Sequence, residues 1–378
     1  MTATRANESS GSAIARNPAA RAKRHHGHVR SAAPSDAHRT STFIRRDRLA
    51  REAEEADRLA PAAKRSADSK GRTRPEEPDE FRTAYERDRD RILHAKAFRR
   101  LKHKTQVFIN PEGDHFVTRL THTLQVTQIA RSLAASLSLN EALAEAIALG
   151  HDVGHSPFGH TGEEALSPYF PTSGGWHHAQ QSVRVFTVLE DLNLTWEVLD
   201  GIRAHSWKIV PPPATHEAFC VRYADRIAYL THDALDALRA GVLTEDDFPA
   251  STRERFGPPG RLWVGEMIDA VIGQSLAGDH VHMDADTLAV MNELRDFMFA
   301  RVYFAPGLRE HTSEAIDVIR RLMDYHIQHP DEIPSSYRDN DADIITQVAD
   351  YVSGMTDRFA LRTHERLFGT PGMKDPPA

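Results

Sequence analysis

Ala148-Leu149-Gly150-His151-Asp152-Val153-Gly154-His155-Ser156-Pro157-Phe158-Gly159-His160 is the stretch on which the reading of this chain turns. Its upstream flank is helical: Asn140 is a good cap, Glu141 belongs in a first turn, and Leu143 and Ile147 recur one turn apart. His151 lies four residues beyond Ile147, so it keeps to the same core-facing side, and Asp152 follows at the helix end. The helical pattern is expected to stop at Gly154. Burying an imidazole beside a carboxylate is costly unless the two pair or bind a cation. The glycines and Pro157 then turn the chain sharply, which lets His155 and His160 approach the same spot.

Working outward, a preceding helix is expected from near His115, with Val126, Ile129, Leu133 and Leu137 on one apolar face. His122 sits four residues before Val126, again facing inward, and Arg119 is one turn earlier. Downstream, Asp225 falls in Val221-Arg222-Tyr223-Ala224-Asp225-Arg226-Ile227-Ala228-Tyr229, with Ile227, Leu230 and Leu238 supplying the core stripe. Each residue alone has a plainer reading. An inward helical histidine is more often a hydrogen-bonded core residue, a helical Asp more often a surface charge, and a His-Asp dipeptide is common. Jointly, two imidazoles and two carboxylates from three helices make a mixed N/O site for a divalent cation.

The rest of the chain is read as helical too, over about 81–104, 178–192, 195–205, 215–240, 261–277, 285–302, 310–328 and 341–365. Pro211-Pro212-Pro213 and the segment 249–260 read as loops, and no alternating β run or fixed-period repeat is present. The fold class is all-α. Residues 1–78 are rich in Ala, Arg, Ser and Pro and poor in large apolar side chains, which predicts a disordered arm ahead of a helical body over 79–378. The arm has seventeen basic against ten acidic residues, so it carries +7 of a chain whose total is −7. A basic arm reads first as a solvated extension and second as a contact surface for nucleic acid.

Composition narrows the function classes. At 378 residues, 40% hydrophobic and 27% charged, the chain suits a globular protein, and its negative charge attracts neither nucleic acid nor anionic membrane overall. No apolar run approaches the roughly 20 residues a membrane span needs. The single cysteine, Cys220, cannot form an internal disulfide, which favours a reducing cytoplasm. No Walker-type phosphate loop is present, and Cys220 has no partners for a catalytic triad.

The ordered set His122, His151-Asp152, Asp225 resembles the ligand pattern of the HD superfamily of metal-dependent phosphohydrolases. More narrowly, the chain looks like the deoxyguanosine triphosphate triphosphohydrolases and related deoxynucleoside triphosphohydrolases. The likeness rests on Phe81-Arg82-Thr83, Arg87-Asp88-Arg89-Asp90-Arg91-Ile92-Leu93-His94, Lys96-Ala97-Phe98-Arg99-Arg100-Leu101 and Lys104-Thr105-Gln106-Val107-Phe108. It continues through Arg119-Leu120-Thr121-His122-Thr123-Leu124-Gln125-Val126, the 148–160 stretch and Ala224-Asp225-Arg226-Ile227-Ala228-Tyr229. It covers about 81–240 firmly, extends to about 365, and leaves out the arm.

The resemblance implies an HD-type helical enzyme hydrolysing deoxynucleoside triphosphates to deoxynucleoside and triphosphate. His122, His151, Asp152 and Asp225 would hold one divalent ion, Mg²⁺ or Mn²⁺. His155 and His178 would be the acid/base histidines, and Arg119, His160 and Arg226 would meet the phosphates. Gln106 would bind the deoxyribose 3′-hydroxyl, while Val107 and Tyr229 would pack beneath the sugar and exclude ribonucleotides. A homo-oligomer is also implied. One departure stands out: the family tends to place a carboxylate just after the histidine matched by His178, whereas Ala179-Gln180-Gln181-Ser182 has none. This implies slow turnover, and leaves open whether His177 or His178 does the work. Two other readings compete: an HD phosphohydrolase of monophosphates or signalling nucleotides, and a nucleotide sensor or nucleic-acid binder with weak catalysis.

Overall fold

Asn140 does cap a helix: its side-chain oxygen accepts from the N–H groups of Ala142 and Leu143. The computed structural model describes residues 44–106, 117–303 and 309–369, and within them the regular structure is helical. The order is α1 (Arg48–Arg58), α2 (Ala84–His94), α3 (Lys96–Arg100), α4 (Arg119–Ser136), α5 (Glu141–Gly150), α6 (His160–Leu166), α7 (His178–Arg184) and α8 (Trp196–Arg203). It continues with α9 (His216–Arg239), α10 (Ala250–Phe256), α11 (Arg261–Ala277), α12 (Ala285–Met298), α13 (Arg309–Gln328), α14 (Ser335–Arg338), α15 (Ile344–Ser353) and α16 (Asp357–Phe368). Extended pairing among the described residues is limited to the single bridges Arg72–Thr195 and Thr105–Thr118. No described helix is long and apolar enough to cross a membrane.

Two apolar cores organise the body. In the first, α4, α5 and α9 pack together, with Val126, Ile129 and Leu133 of α4 meeting Leu143 and Ile147 of α5 and Ile227 and Leu230 of α9. The stripe expected on α4 is therefore its buried face, although Leu137 at its end is only partly covered. The second core joins Ile319 and Leu322 of α13 and Val348 of α15 to Phe158, Leu166 and Trp176. The 148–160 stretch thus begins in one core and ends in the other.

Several expectations differ from the structure. The pattern read as one helix over 341–365 is two, because α15 ends at Gly354 and Thr356 caps α16 by accepting from Phe359 N–H. The segment 249–260, read as a loop from its prolines, contains α10, since Thr252 and Phe256 supply a buried face. Of the arm expected over 1–78 as a disordered segment, residues 46–78 belong to the main compact unit and include α1. Composition misled there because the segment is held by polar anchoring rather than by apolar area. Glu217 accepts the Lys64 N–H at 2.8 Å, Glu197 accepts the Lys70 N–H at 2.8 Å, and Asp88 pairs with Arg72. All three carboxylates are buried.

Candidate active site

α5 ends at Gly150, before the expected stop at Gly154, and delivers His151 and Asp152 into the interior between α4 and α9. His151 Nδ1 donates to the Ala148 carbonyl at 2.6 Å, since a carbonyl can only accept. Its Nε2 is the ring nitrogen left to meet a ligand, and it has no hydrogen-bond partner among the described residues. His122 presents Nε2 3.1 Å from Asp225 Oδ1, and His151 Nε2 is 3.8 Å from the same oxygen and 3.5 Å from Asp152 Oδ1. The ligand atoms of His122, His151 and Asp152 lie within 4.8 Å of one another, all buried. An orphaned imidazole nitrogen facing two carboxylates fits a divalent cation, so the expected ligand set does come together.

Charge balance in this pocket favours anionic carboxylates. Burial alone would raise the Asp152 carboxyl, but its interactions with the His151 and His155 imidazoles and the charge of Arg119 hold it well below the usual range. Asp225 is pulled down to about 2 against its burial, by the His122 hydrogen bond and the charge of His151. Arg119, itself buried, donates to Asp152 Oδ2 at 2.7 Å. Gly159 makes room for it: with φ +58 it adopts a backbone that favours glycine, and a Cβ there would collide with the Arg119 guanidinium.

A second group of imidazoles lies on the other side of Asp152. His155 and His178 stack at 3.9 Å with an 11° interplanar angle, and His160 stands 5.1 Å from His155. Burial pushes His155 well below its ordinary value, and the charges of Arg119 and His178 add to this, so its ring is neutral at neutral pH. Of the adjacent pair, His178 is the one that faces the cluster. His177 instead takes the N-cap position of α7, its Nδ1 accepting from Ala179 N–H at 3.3 Å.

The carboxylate missing after His178 comes from elsewhere. Glu163, on α6, places Oε2 2.9 Å from His178 Nδ1 and 3.1 Å from His160 Nδ1. Burial would raise Glu163, but the charge of His178 and the hydrogen bonds from His160 and His178 hold it far below the usual range. Burial likewise works against the charged form of His178, yet the charge and hydrogen bond of Glu163 outweigh it and raise that ring. The signal in the sequence was the i, i+3 spacing of His160 and Glu163, which puts them on one face of a helix.

Loops around this group are clamped from the C-terminal helices. Asp357 accepts from the backbone N–H groups of Thr105 at 2.9 Å and Phe158 at 3.1 Å. Phe158 has φ +60, a left-handed backbone that a bulky residue keeps only when its surroundings hold it. Lys104 is buried, donating to the carbonyls of His155 and Ser353, and burial lowers it to about 7. On α15, Asp350 accepts from Gln181 Nε2 at 2.8 Å and from Arg184, fixing α7. A Cβ on Gly154 would collide with the Ser182 backbone, so glycine there lets α7 approach the turn, where Gly154 N–H donates to Ser182 Oγ at 2.9 Å.

The remaining expected contacts divide. The Gln106 backbone lies beside Gly159, and its side-chain Oε1 is buried without a hydrogen-bond partner among the described residues, where it could accept from a ligand. Tyr229 is one turn beyond Asp225, and burial raises its phenol to about 12. Arg226 is not drawn to the imidazoles: its guanidinium stacks 3.7 Å over Trp207 and donates to Asn292 Oδ1 at 3.0 Å. Val107 lies outside the described residues. Glu163 and His205 are the residues at this centre that the sequence reading did not single out.

Comparison with known proteins agrees with this geometry. Residues 119–230, which contain all four expected ligands, match the HD domain, and residues 281–366 match the phosphohydrolase-associated domain. A deoxyguanosinetriphosphate triphosphohydrolase-like protein of Caldanaerobacter subterraneus is 45% identical over 317 residues, covering 82% of this chain and 92% of its own. Relatives of the same description from Desulfatibacillum aliphaticivorans and Cereibacter sphaeroides are 44% and 37% identical, spanning 96% and 100% of their lengths. With the HD-domain match over 119–230 and a relative 45% identical over most of its length, the chain belongs to the deoxyguanosinetriphosphate triphosphohydrolase-like family of HD-domain hydrolases.

Proposed function

We propose that this protein hydrolyses deoxynucleoside triphosphates to deoxynucleoside and intact triphosphate, by attack of water at the α-phosphorus. One observation carries the reading: a buried His/Asp ligand set and a stacked His155–His178 pair share the carboxylate of Asp152. A divalent ion held by His122, His151, Asp152 and Asp225, Mg²⁺ or Mn²⁺ by its donors, would supply Lewis acidity and neutralise phosphate charge.

The chain's own residues do the rest. His155, neutral and 3.4 Å from Asp152 Oδ1, is placed to take a proton from the attacking water. His178, backed by Glu163, is placed to hold or return a proton on the leaving side. His160, largely exposed beside that pair, and Arg119 would meet the developing negative charge of triphosphate. Arg226 would have to leave Asn292 to join them. Gln106 Oε1 supports recognition of a sugar hydroxyl, with Val107 and Tyr229 packing beneath the ring and disfavouring ribose. Assembly into a homo-oligomer, a cytoplasmic location and nucleic-acid contact through the basic arm belong to the same reading.

Anion-exchange separation of products tests it, with each deoxynucleoside triphosphate and Mg²⁺ or Mn²⁺. Deoxynucleoside plus intact triphosphate, abolished by chelation, is the expected outcome. Release of single phosphates, or no turnover of any of the four alone or mixed, would overturn it.

A further inference from the structure

A cavity of about 80 Å³ backs on Val153 and Gly154, at the start of the turn that carries His155. Its opposite wall comes from α14 and α15, through Tyr337 and Ser353. None of the four expected metal ligands lines it, and neither does His155 or His178. The space is several times the roughly 10–15 Å³ that one water needs, so it holds a group of waters or a small ion.

Three cations line this cavity: Lys96 and Arg100, one turn apart on α3, and Lys104 just beyond it. Two carboxylates line it as well, but their oxygens are already spent. Glu190 accepts the Lys96 N–H at 2.8 Å and the Ala97 N–H at 2.7 Å, while Asp350 accepts from Gln181 and Arg184. The cations, by contrast, meet neutral acceptors. Arg100 Nη1 donates to the Tyr337 hydroxyl at 3.1 Å and the Gly354 carbonyl at 3.0 Å. Lys104 is 2% exposed and donates to the carbonyls of His155 and Ser353. Asp357 lends Lys104 some support, yet its two oxygens are taken by Thr105 and Phe158, and burial still lowers the ammonium to about 7. An ammonium has three donors and a guanidinium five, so both keep N–H groups to give. Positive charge buried against neutral oxygens lacks a counter-ion.

We propose that this cavity binds one small tetrahedral oxyanion, inorganic phosphate or a single phosphoryl group, on Arg100, Lys104 and Lys96. Arg100 offers the planar donor pair that suits phosphate oxygens, and the two lysines act as point charges. Lys96 is the exposed member and stands at the open side. The volume admits a phosphoryl group but not a base and sugar. This site is separate from the reaction proposed above and does not depend on it. Because Lys104 also holds the His155 carbonyl, one side chain ties the bound ion to the turn that carries His155.

Inorganic phosphate is the probe, titrated by calorimetry into metal-loaded and into chelator-stripped protein, since phosphate held on an active-site metal would leave with it. Expected is one phosphate per chain in both states, with slower hydrogen exchange at 153–156 when it is bound. Arg100→Gln should weaken binding at least about tenfold, as loss of a charged hydrogen bond does. Lys96→Glu should weaken it about fivefold, as befits an exposed charge. Lys96→Glu decides the matter if Arg100→Gln does not fold. Displacement by a deoxynucleoside monophosphate would name a nucleotide's phosphoryl group as the source, and failure to displace would name free phosphate. No phosphate on the stripped protein, or binding indifferent to both substitutions, would overturn the proposal. Binding that leaves exchange at 153–156 unchanged would overturn it too, because the ion would then lie on the surface around Lys96.

Discussion

The two sides of Asp152 are built by different means. On one side, His122, His151 and Asp225 project from or just beyond long helices whose neighbours in sequence are the apolar residues of the first core. On the other side, His155 and Phe158 lie on a turn, and Glu163 and His178 sit on helices of seven residues. Their positions depend on Asp350, Ser353 and Asp357, about 170 to 200 residues away along the chain. The first side is rigid because it is part of a core. The second is held by a few hydrogen bonds to buried carboxylates, so it should break by smaller steps.

The largest effect is expected where the core-built side loses a ligand. Asp225→Ala should lose bound metal and hydrolysis together, seen as absent ion in elemental analysis and no triphosphate release. His155→Ala should separate the two properties. It should keep its metal while the turnover number falls about 10²–10⁴-fold, the usual contribution of a positioned acid or base. If His155→Ala lost metal, the division of labour across Asp152 would be wrong.

This same division decided what could be read from the sequence. His122, His151, Asp152 and Asp225 were legible because apolar periodicity fixes which way a helical side chain faces. The cap at Asn140 and the buried stripe of α4 were legible for the same local reason. Glu163 was not, because its partner His178 is fifteen residues away on another short helix and only the packing of both helices joins them. His205 was hidden for a like reason, its sole local mark being a histidine after α8. Arg226 shows the converse limit: no sequence pattern announced that its guanidinium stacks over Trp207 and donates to Asn292. The arm boundary failed because Glu197 and Glu217 recruit backbone N–H groups from a segment that has little apolar surface of its own.

Glu163→Gln sharpens the comparison on the weaker side. It should keep the His122–His151–Asp225 ion but lower turnover by about 10–100-fold, as losses of partners behind functional histidines do. In metal-free protein the pair also carries a pH signature. Glu163 is shifted below its ordinary value of 4.5, so its contribution is present above 4.5 and lost as pH falls. His178 is shifted above its ordinary 6.5, so its contribution is full below 6.5 and lost as pH rises through the folded value. The stabilisation is therefore greatest between those two pH values, and Glu163→Gln should lower the melting temperature most there. An equal loss at every pH would mean that Glu163 acts only by packing.

The smallest effect is expected at the far end of the clamp. Asp357→Asn keeps the side chain's shape and one accepting oxygen, but replaces the oxygen pair that serves Thr105 N–H, the Thr105 hydroxyl and Phe158 N–H. One of these donors is left unsatisfied in a buried setting, which costs about 1–3 kcal/mol. Metal content should be unchanged, because no ligand helix of the first core touches Asp357 through those bonds. The released Phe158 N–H lies between His155 and His160, so the loss should appear as faster hydrogen exchange at 155–160 and a modest drop in turnover. Retained protection of that turn would place its rigidity in the apolar packing of Phe158 instead, and the two sides of Asp152 would then be built alike.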